Sequence, residues 1–276
     1  MPRSASPSIP EKEFLVSALQ QSLRLDGRSV VELREPKLIF GPELGWVECA
    51  MGKTRVLASI EAKMVKPAPD RPYEGMINIH SEISPMASSE YEQGRTSDEE
   101  VTITRMLDKV LRRSDALDKE SLCIVAGQRV WSLKVTIQFL ADAGNMLDCA
   151  CLAGIVALRH FRKPEVQVEG EEVIVYNNIV IRAATKHLDS ALWLFLHAPN
   201  LRLVGSKSLR GIPRTWYIVL NAQSEICVLQ KNGGVPLDQE AILRLVDVAV
   251  GKAKEIESLV EKSLQKDWGE RHLEVR

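Results

Sequence analysis

The stretch Arg129–Phe161, "RVWSLKVTIQFLADAGNMLDCACLAGIVALRHF", decides the fold class. Trp131, Leu133, Val135, Ile137 and Phe139 alternate with Ser132, Lys134, Thr136 and Gln138, the period of a strand with one buried face. From Cys151 to Phe161 the residues are apolar nearly all round, which predicts a helix enclosed by other structure and stopped by Pro164. Between them lies "ADAGNMLDCA", Ala141–Ala150, a glycine-containing turn at a helix start. Backbone N–H groups at such a place favour anions, and phosphate sites are often built there. This turn carries Asn145, Met146, Leu147 and Asp148, with no Lys, Arg, Ser or Thr to complete such a site.

Upstream, residues 1–9 read as a short disordered lead. Ser8, Pro10 and Glu11 then mark a helix start. Phe14, Leu15, Ala18, Leu19 and Leu23 fall on one side of that helix and are expected to dock on a core. In "LDGR" a turn held by an Asp26–Arg28 ion pair is expected. From Lys37 to Val65, strand-like segments are punctuated at Gly41-Pro42, Gly45 and Met51-Gly52. A further strand is expected near Met76–Ile83 and a helix over Asp98–Arg113, capped by Ser97 and begun by Asp98, Glu99 and Glu100. Downstream, "VQVEGEEVIVY" and "WYIVLNAQSEICVLQ" read as strand pairs. An amphipathic helix over Asp238–Leu264 carries a stripe that includes Leu245, Ala249, Ala253, Ile256 and Val260. Strands and helices recur in the same order twice, which suggests two similar halves.

The chain has 276 residues and a formal net charge of −1, so any nucleic-acid surface must be a local patch. Its five cysteines are odd in number, form no C-x-x-C pair and read as core thiols of a reducing compartment. The five histidines have no metal-ligand spacing, so no metal is expected; G-x-G-x-x-G and G-x-x-x-x-G-K-[ST] are both absent, which weighs against a nucleotide cofactor, and no window has the length of a membrane span. The one basic patch is on the Asp98–Arg113 helix, where Arg105, Lys109 and Arg112 fall at spacings of four and three and Arg113 extends the row. Positive side chains late in a helix also complement its dipole, so a solvated face accounts for the same pattern. Arg95, in the loop before the helix, is a further candidate that the local sequence leaves open.

Three stretches together, "RLDGRSVVELREPKLIFGPELGWVECAMGKTRVLASIEAKMV", "EYEQGRTSDEEVTITRMLDKVLRRSDALDKESLCIVAGQRVWSLKVTIQFL" and "AGNMLDCACLAGIVALRHFRKPEV", resemble the RNase PH family, and within it the ring subunits of the eukaryotic RNA exosome. The resemblance implies an α+β fold of two β-sheet/helix halves with mixed sheets packed on helices. Residues 10–176 would form the first half and 177–276 the second, with 177–215 atypical. It also implies assembly with other RNase PH-like subunits into a hetero-oligomeric ring, further partnership with cap subunits and a hydrolytic nuclease, and a place in nucleus, nucleolus and cytoplasm. Active relatives hold inorganic phosphate with the Arg of a Gly-Gly-Thr-Arg turn. Here Gly144, Asn145, Met146 and Leu147 occupy that place, so a neutral alkyl group stands where the charge belongs.

Acidic residues that assist the chemistry in the second half are also lacking, because Asn200–Trp216 contains no Asp or Glu. The resemblance further implies that the basic helix lines a central channel. Arg95, Arg105, Lys109, Arg112 and Arg113 would then touch the backbone of a single-stranded RNA without reading its bases. The expectation is a non-catalytic scaffold and RNA guide. The alternative is an active phosphate-dependent 3′-exoribonuclease anchored on another arginine, such as Arg95 or Arg129.

Overall fold

The computed structural model describes residues 8–21, 27–28, 32–89, 91–92, 94–113, 117–169, 172–182, 215–220, 225–232 and 238–271. Asp26, Leu23 and most of the atypical segment 177–215 lie outside them. The chain forms α1 (Ile9–Gln20), β1 (Pro36–Phe40), β2 (Val47–Met51), β3 (Thr54–Val65), β4 (Met76–Ile83) and α2 (Asp98–Leu107). It continues with β5 (Cys123–Val125), β6 (Arg129–Ala141), α3 (Met146–His160), β7 (Arg162–Glu169), β8 (Glu172–Arg182), β9 (Thr215–Leu220), β10 (Ile226–Asn232) and α4 (Gln239–Arg271).

The main sheet runs β1-β2-β3-β6-β4, with β5 also paired to β6. β6 pairs antiparallel with β3 and parallel with β4, so the sheet is mixed and α2 lies in the crossover between the parallel strands. The alternation read in the sequence is realised on β6: Leu133, Val135, Ile137 and Phe139 are fully buried while Lys134 is exposed. Ile77, Ser81 and Ile83 of β4 register with Leu133, Ile137 and Phe139 and share their buried face. β7–β8 and β9–β10 are two-stranded antiparallel pairs. β8 runs unbroken across the expected junction at 176/177 and includes the first six of the residues expected to be atypical.

α3 packs on β2, β3 and β6, and its other side meets α2. Apart from Asp148, every residue from Met146 to His160 is buried. Gly154 faces Ile137 and Leu111, which a Cβ there would meet in ordinary contact at 3.4 Å. The helix ends at His160, not at Pro164: Phe161 takes an extended conformation and Pro164 sits inside β7.

α4 closes the end of α3 through a buried polar cluster. Arg159 meets Glu261 at 2.7 Å. His160 Nδ1 accepts from the Gly45 N–H at 3.1 Å, so its proton resides on Nε2, 3.0 Å from Asp267 Oδ2. Arg271 donates to the same carboxylate at 2.6 Å, to Pro42 O at 2.8 Å and to Gly41 O. Arg162 donates to the carbonyls of Arg159 and Phe161 and stacks 4.6 Å over the Trp268 ring. Gly45 is required in this joint: its φ is +93°, and a Cβ would meet Phe161 at 3.0 Å.

Of the α1 stripe expected to dock, Phe14 is 61% exposed and Ala18 partly buried, while the side chains of Leu15, Leu19 and Leu23 lie outside the described residues. Cys49, Cys149 and Cys151 are buried as expected, but Cys123 is only partly buried and Cys227 is exposed on β10, where the pairing shifts register between Ile226 and Val228.

Burial lowers the His160 pKa below its ordinary 6.5, the nearby Asp267 carboxylate opposing this in part. The unfolded chain therefore takes a proton first as pH falls, and stability is lost below about pH 6.5. Urea midpoints measured at neutral pH and near pH 5.5 should show this loss, and the His160→Gln variant should have a lower midpoint at neutral pH but a shallower acid dependence. An equal acid dependence in both proteins would exclude His160 as the titrating group.

Candidate nucleic-acid interface

α2 begins as its sequence dictates. Ser97 accepts the Glu100 N–H at 3.1 Å and Asp98, Glu99 and Glu100 occupy the positive end of the dipole. Ile103, Met106 and Leu107 face the core, and Thr104 is fixed by a 2.6 Å hydroxyl contact with Ser81 of β4. From Asp108 to Arg113 the winding changes to π, with hydrogen bonds one residue longer than in an α-helix. The α spacing that aligned Arg105, Lys109 and Arg112 therefore does not hold past Leu107. Val110 and Leu111 stay buried within the π segment.

The expected basic residues are consequently not equivalent. The Arg105 side chain is exposed, and no hydrogen bond or ion pair of it is found among the described residues. Lys109 is half-buried and donates to Gln230 of β10 at 2.7 Å, so it turns toward the second half of the chain. Arg112 is exposed but pairs with Asp108 at 2.7 Å. The Arg113 side chain lies outside the described residues. Arg95 is exposed in the preceding loop, 3.9 Å from Glu92. Arg129 stands at the far end of β6 from the α3 turn, about 40 Å away at the rise of a strand.

Two N–H groups and the carbonyls of the turn before α3 are satisfied from within the chain. Gly144 (φ +83°) and Asn145 (φ +62°) are both left-handed, which turns the chain from β6 into the helix. The Gly144 N–H donates to Asp142 Oδ1 at 2.9 Å, and the Ala143 N–H donates to Thr54 Oγ1 at 3.2 Å. The Gly144 carbonyl accepts from Thr54 Oγ1 at 2.8 Å and from Arg34 Nη2 at 2.9 Å. Arg34 also donates to the carbonyls of Ala143 and Met51. Leu147, only 8% exposed, belongs to the hydrophobic core, as does Met146. Asp148 Oδ2 accepts from Asn145 Nδ2 at 2.5 Å, while its Oδ1 is buried with no partner among the described residues.

Burial pushes the Asp148 carboxyl up to about 8, against the opposing pull of the Asn145 hydrogen bond and the Arg34 charge. Arg34, Thr54 and Tyr91 all bear on this turn and escaped the sequence reading. Each lies some fifty to one hundred and ten residues from its contacts, where no local spacing can reveal it.

With this geometry in place, the comparisons with known proteins are informative. The family described as "3′ exoribonuclease family, domain 1" (RNase PH) matches residues 32–164. The chain is 37% identical to exosome complex component rrp45 of Schizosaccharomyces pombe over 97% of its length and 94% of that protein. It is 32% identical to RRP45 of Saccharomyces cerevisiae over 96% of this chain and 93% of that one. Human RRP45, 35% identical, is a longer protein, of which the chain covers 60%. Among solved structures, a chain of the Archaeoglobus fulgidus exosome with RNA bound to the active site superimposes with a TM-score of 0.68 at 23% identity, covering 90% of this chain and 97% of that one. A chain of an archaeal exosome core gives 0.65 at 22%, over 91% and 96%. The chain belongs to the RNase PH-type 3′ exoribonuclease family, in the group of the exosome component RRP45 proteins.

A buried acid that stays protonated has a measurable signature. The folded chain keeps a proton that the unfolded chain releases near its ordinary value of 3.8, so stability should fall as pH rises toward 8. The slope is about 1.4 kcal/mol per pH unit for one proton between about pH 5 and pH 7. D148N should remove that slope in denaturant titrations; an unchanged slope would mean that Asp148 ionises normally in the folded chain.

Proposed function

We propose that this chain is a non-catalytic core ring subunit of the RNA exosome, which supports 3′-to-5′ RNA processing and degradation by scaffolding the ring and touching RNA in its channel. The observation that carries the reading is the closed α3 turn. Its Gly144 and Ala143 N–H groups are taken by Asp142 and Thr54, its carbonyls face Arg34, and Leu147 points into the core. A phosphate arriving there would meet no side-chain charge at position 147 and, at position 148, a carboxyl whose Oδ1 is buried. The absence of Asp and Glu from Asn200 to Trp216 supports the same conclusion.

The relatives carry the name of exosome components, and ring assembly with other RNase PH-like subunits follows from that kinship. Cap subunits, an associated hydrolytic nuclease, and residence in nucleus, nucleolus and cytoplasm belong to the same proposal. The RNA contacts assigned are Arg105 first, then Arg112 and Arg113 of the π segment, with Arg95 from the loop. Lys109 contributes less, because its ammonium is engaged by Gln230. Such contacts hold the backbone by charge and are weakened by salt.

Two experiments test the proposal. The assembled ring, with its other RNase PH-like subunits inactivated, should release no nucleoside diphosphates from RNA in the presence of phosphate; phosphate-dependent release traced to this chain would establish the enzyme alternative. In the intact ring, R105E should lower RNA affinity by about tenfold and reduce the dependence of log affinity on log salt by about one contact. D108N, which frees Arg112 from its ion pair, should act in the opposite direction. RNA binding and salt dependence unaltered in both variants would refute the channel assignment.

A further inference from the structure

The loop between β4 and α2 carries Arg95, and two fixed points bracket it. At one end the Asp142 N–H donates to Ala87 O at 3.1 Å, and at the other Ser97 caps α2. Between them, the Tyr91 hydroxyl lies 3.1 Å from Glu99 Oε2 on the first turn of α2 and 3.1 Å from Asp142 Oδ2 at the α3 turn. The Tyr91 ring packs against the edge of the core. Asp142 is itself anchored, since its Oδ1 accepts the Gly144 N–H at 2.9 Å.

A phenol has one proton to donate, so this hydroxyl shares it between, or passes it between, two carboxylates that belong to different elements. Tyr91 thus spans the mouth of the loop and ties the start of α2 to the start of α3. Arg95 follows four residues later. Its own local supports are slight: a 3.4 Å backbone bond to Glu92 and a 3.9 Å ion pair with the same residue. An arginine on a loop loses affinity for a phosphate to the extent that its backbone must be ordered on binding.

We propose that Tyr91 is a positioning residue: by bridging Glu99 and Asp142 it holds the loop so that Arg95 is presented, already ordered, to the RNA backbone. The proposal rests on the assignment of Arg95 as an RNA contact, and the test separates the two. Y91F removes one oxygen, keeps the packed ring and leaves every charge in place. In the reconstituted ring the affinity for labelled single-stranded polyuridylate should fall about fivefold in R95A and by a similar factor in Y91F. The double variant should be no weaker than R95A alone, because a positioning effect vanishes once the positioned group is gone.

A second readout is independent of RNA. Trypsin cleavage after Arg95 should quicken several-fold in Y91F while the thermal midpoint of the ring moves little. If R95A binds RNA normally, the contact assignment fails and the positioning role falls with it. If R95A weakens binding but Y91F changes neither affinity nor cleavage, the contact stands and the bridge is overturned. Additive losses in the double variant would also overturn it, since they would mean that Tyr91 acts on RNA by another route.

Discussion

Helix α3 has no solvent face, and most of the structure follows from that constraint. Leucine, isoleucine, alanine and cysteine side chains on all its sides remove water from the helix only if a sheet lies on one side and other helices on the rest. The sheet and α2 provide the first cover, and α4, reached after the whole second part of the chain, provides the last. At its C-terminal end the helix also buries Arg159 and His160. Those groups are tolerated because Glu261, Asp267 and the Gly45 N–H meet them, so the polar joint between α3 and α4 is as obligatory as the apolar one.

The same enclosure shapes the chemistry of the N-terminal end. A helix start buried against a sheet must satisfy its donors internally or through a ligand. Here a carboxylate and a hydroxyl from the protein take the N–H groups of the turn, and a guanidinium takes its carbonyls. The turn is left-handed at Gly144 and Asn145, and Asp142, Thr54 and Arg34 bind two of its N–H groups and its carbonyls. The enclosure also raises the Asp148 carboxyl pKa to about 8, against the pull of the Asn145 hydrogen bond and the Arg34 charge.

Much of this was legible in one dimension. The alternation of Trp131 to Phe139 and the apolar run through Leu152 and Ile155 gave β6 and α3 their correct places, because period and burial are properties of neighbouring residues. The basic helix was legible as a helix but not as a surface. The change to π winding at Asp108, the capture of Lys109 by Gln230 and the pairing of Arg112 with Asp108 redistribute its charges.

The amino-acid sequence by itself determined the order of strands and helices, the buried face of β6 and the cap of α2. Each depends on residues within one or two turns of one another. Only the tertiary structure decided that the α3 turn is closed by Arg34 and Thr54, that Tyr91 bridges two helix starts, and that His160 accepts a hydrogen bond from Gly45. These contacts join groups far apart along the chain. Their existence depends on the packing of α3 between sheet and helix, which brings those groups within hydrogen-bond range after the local elements have formed.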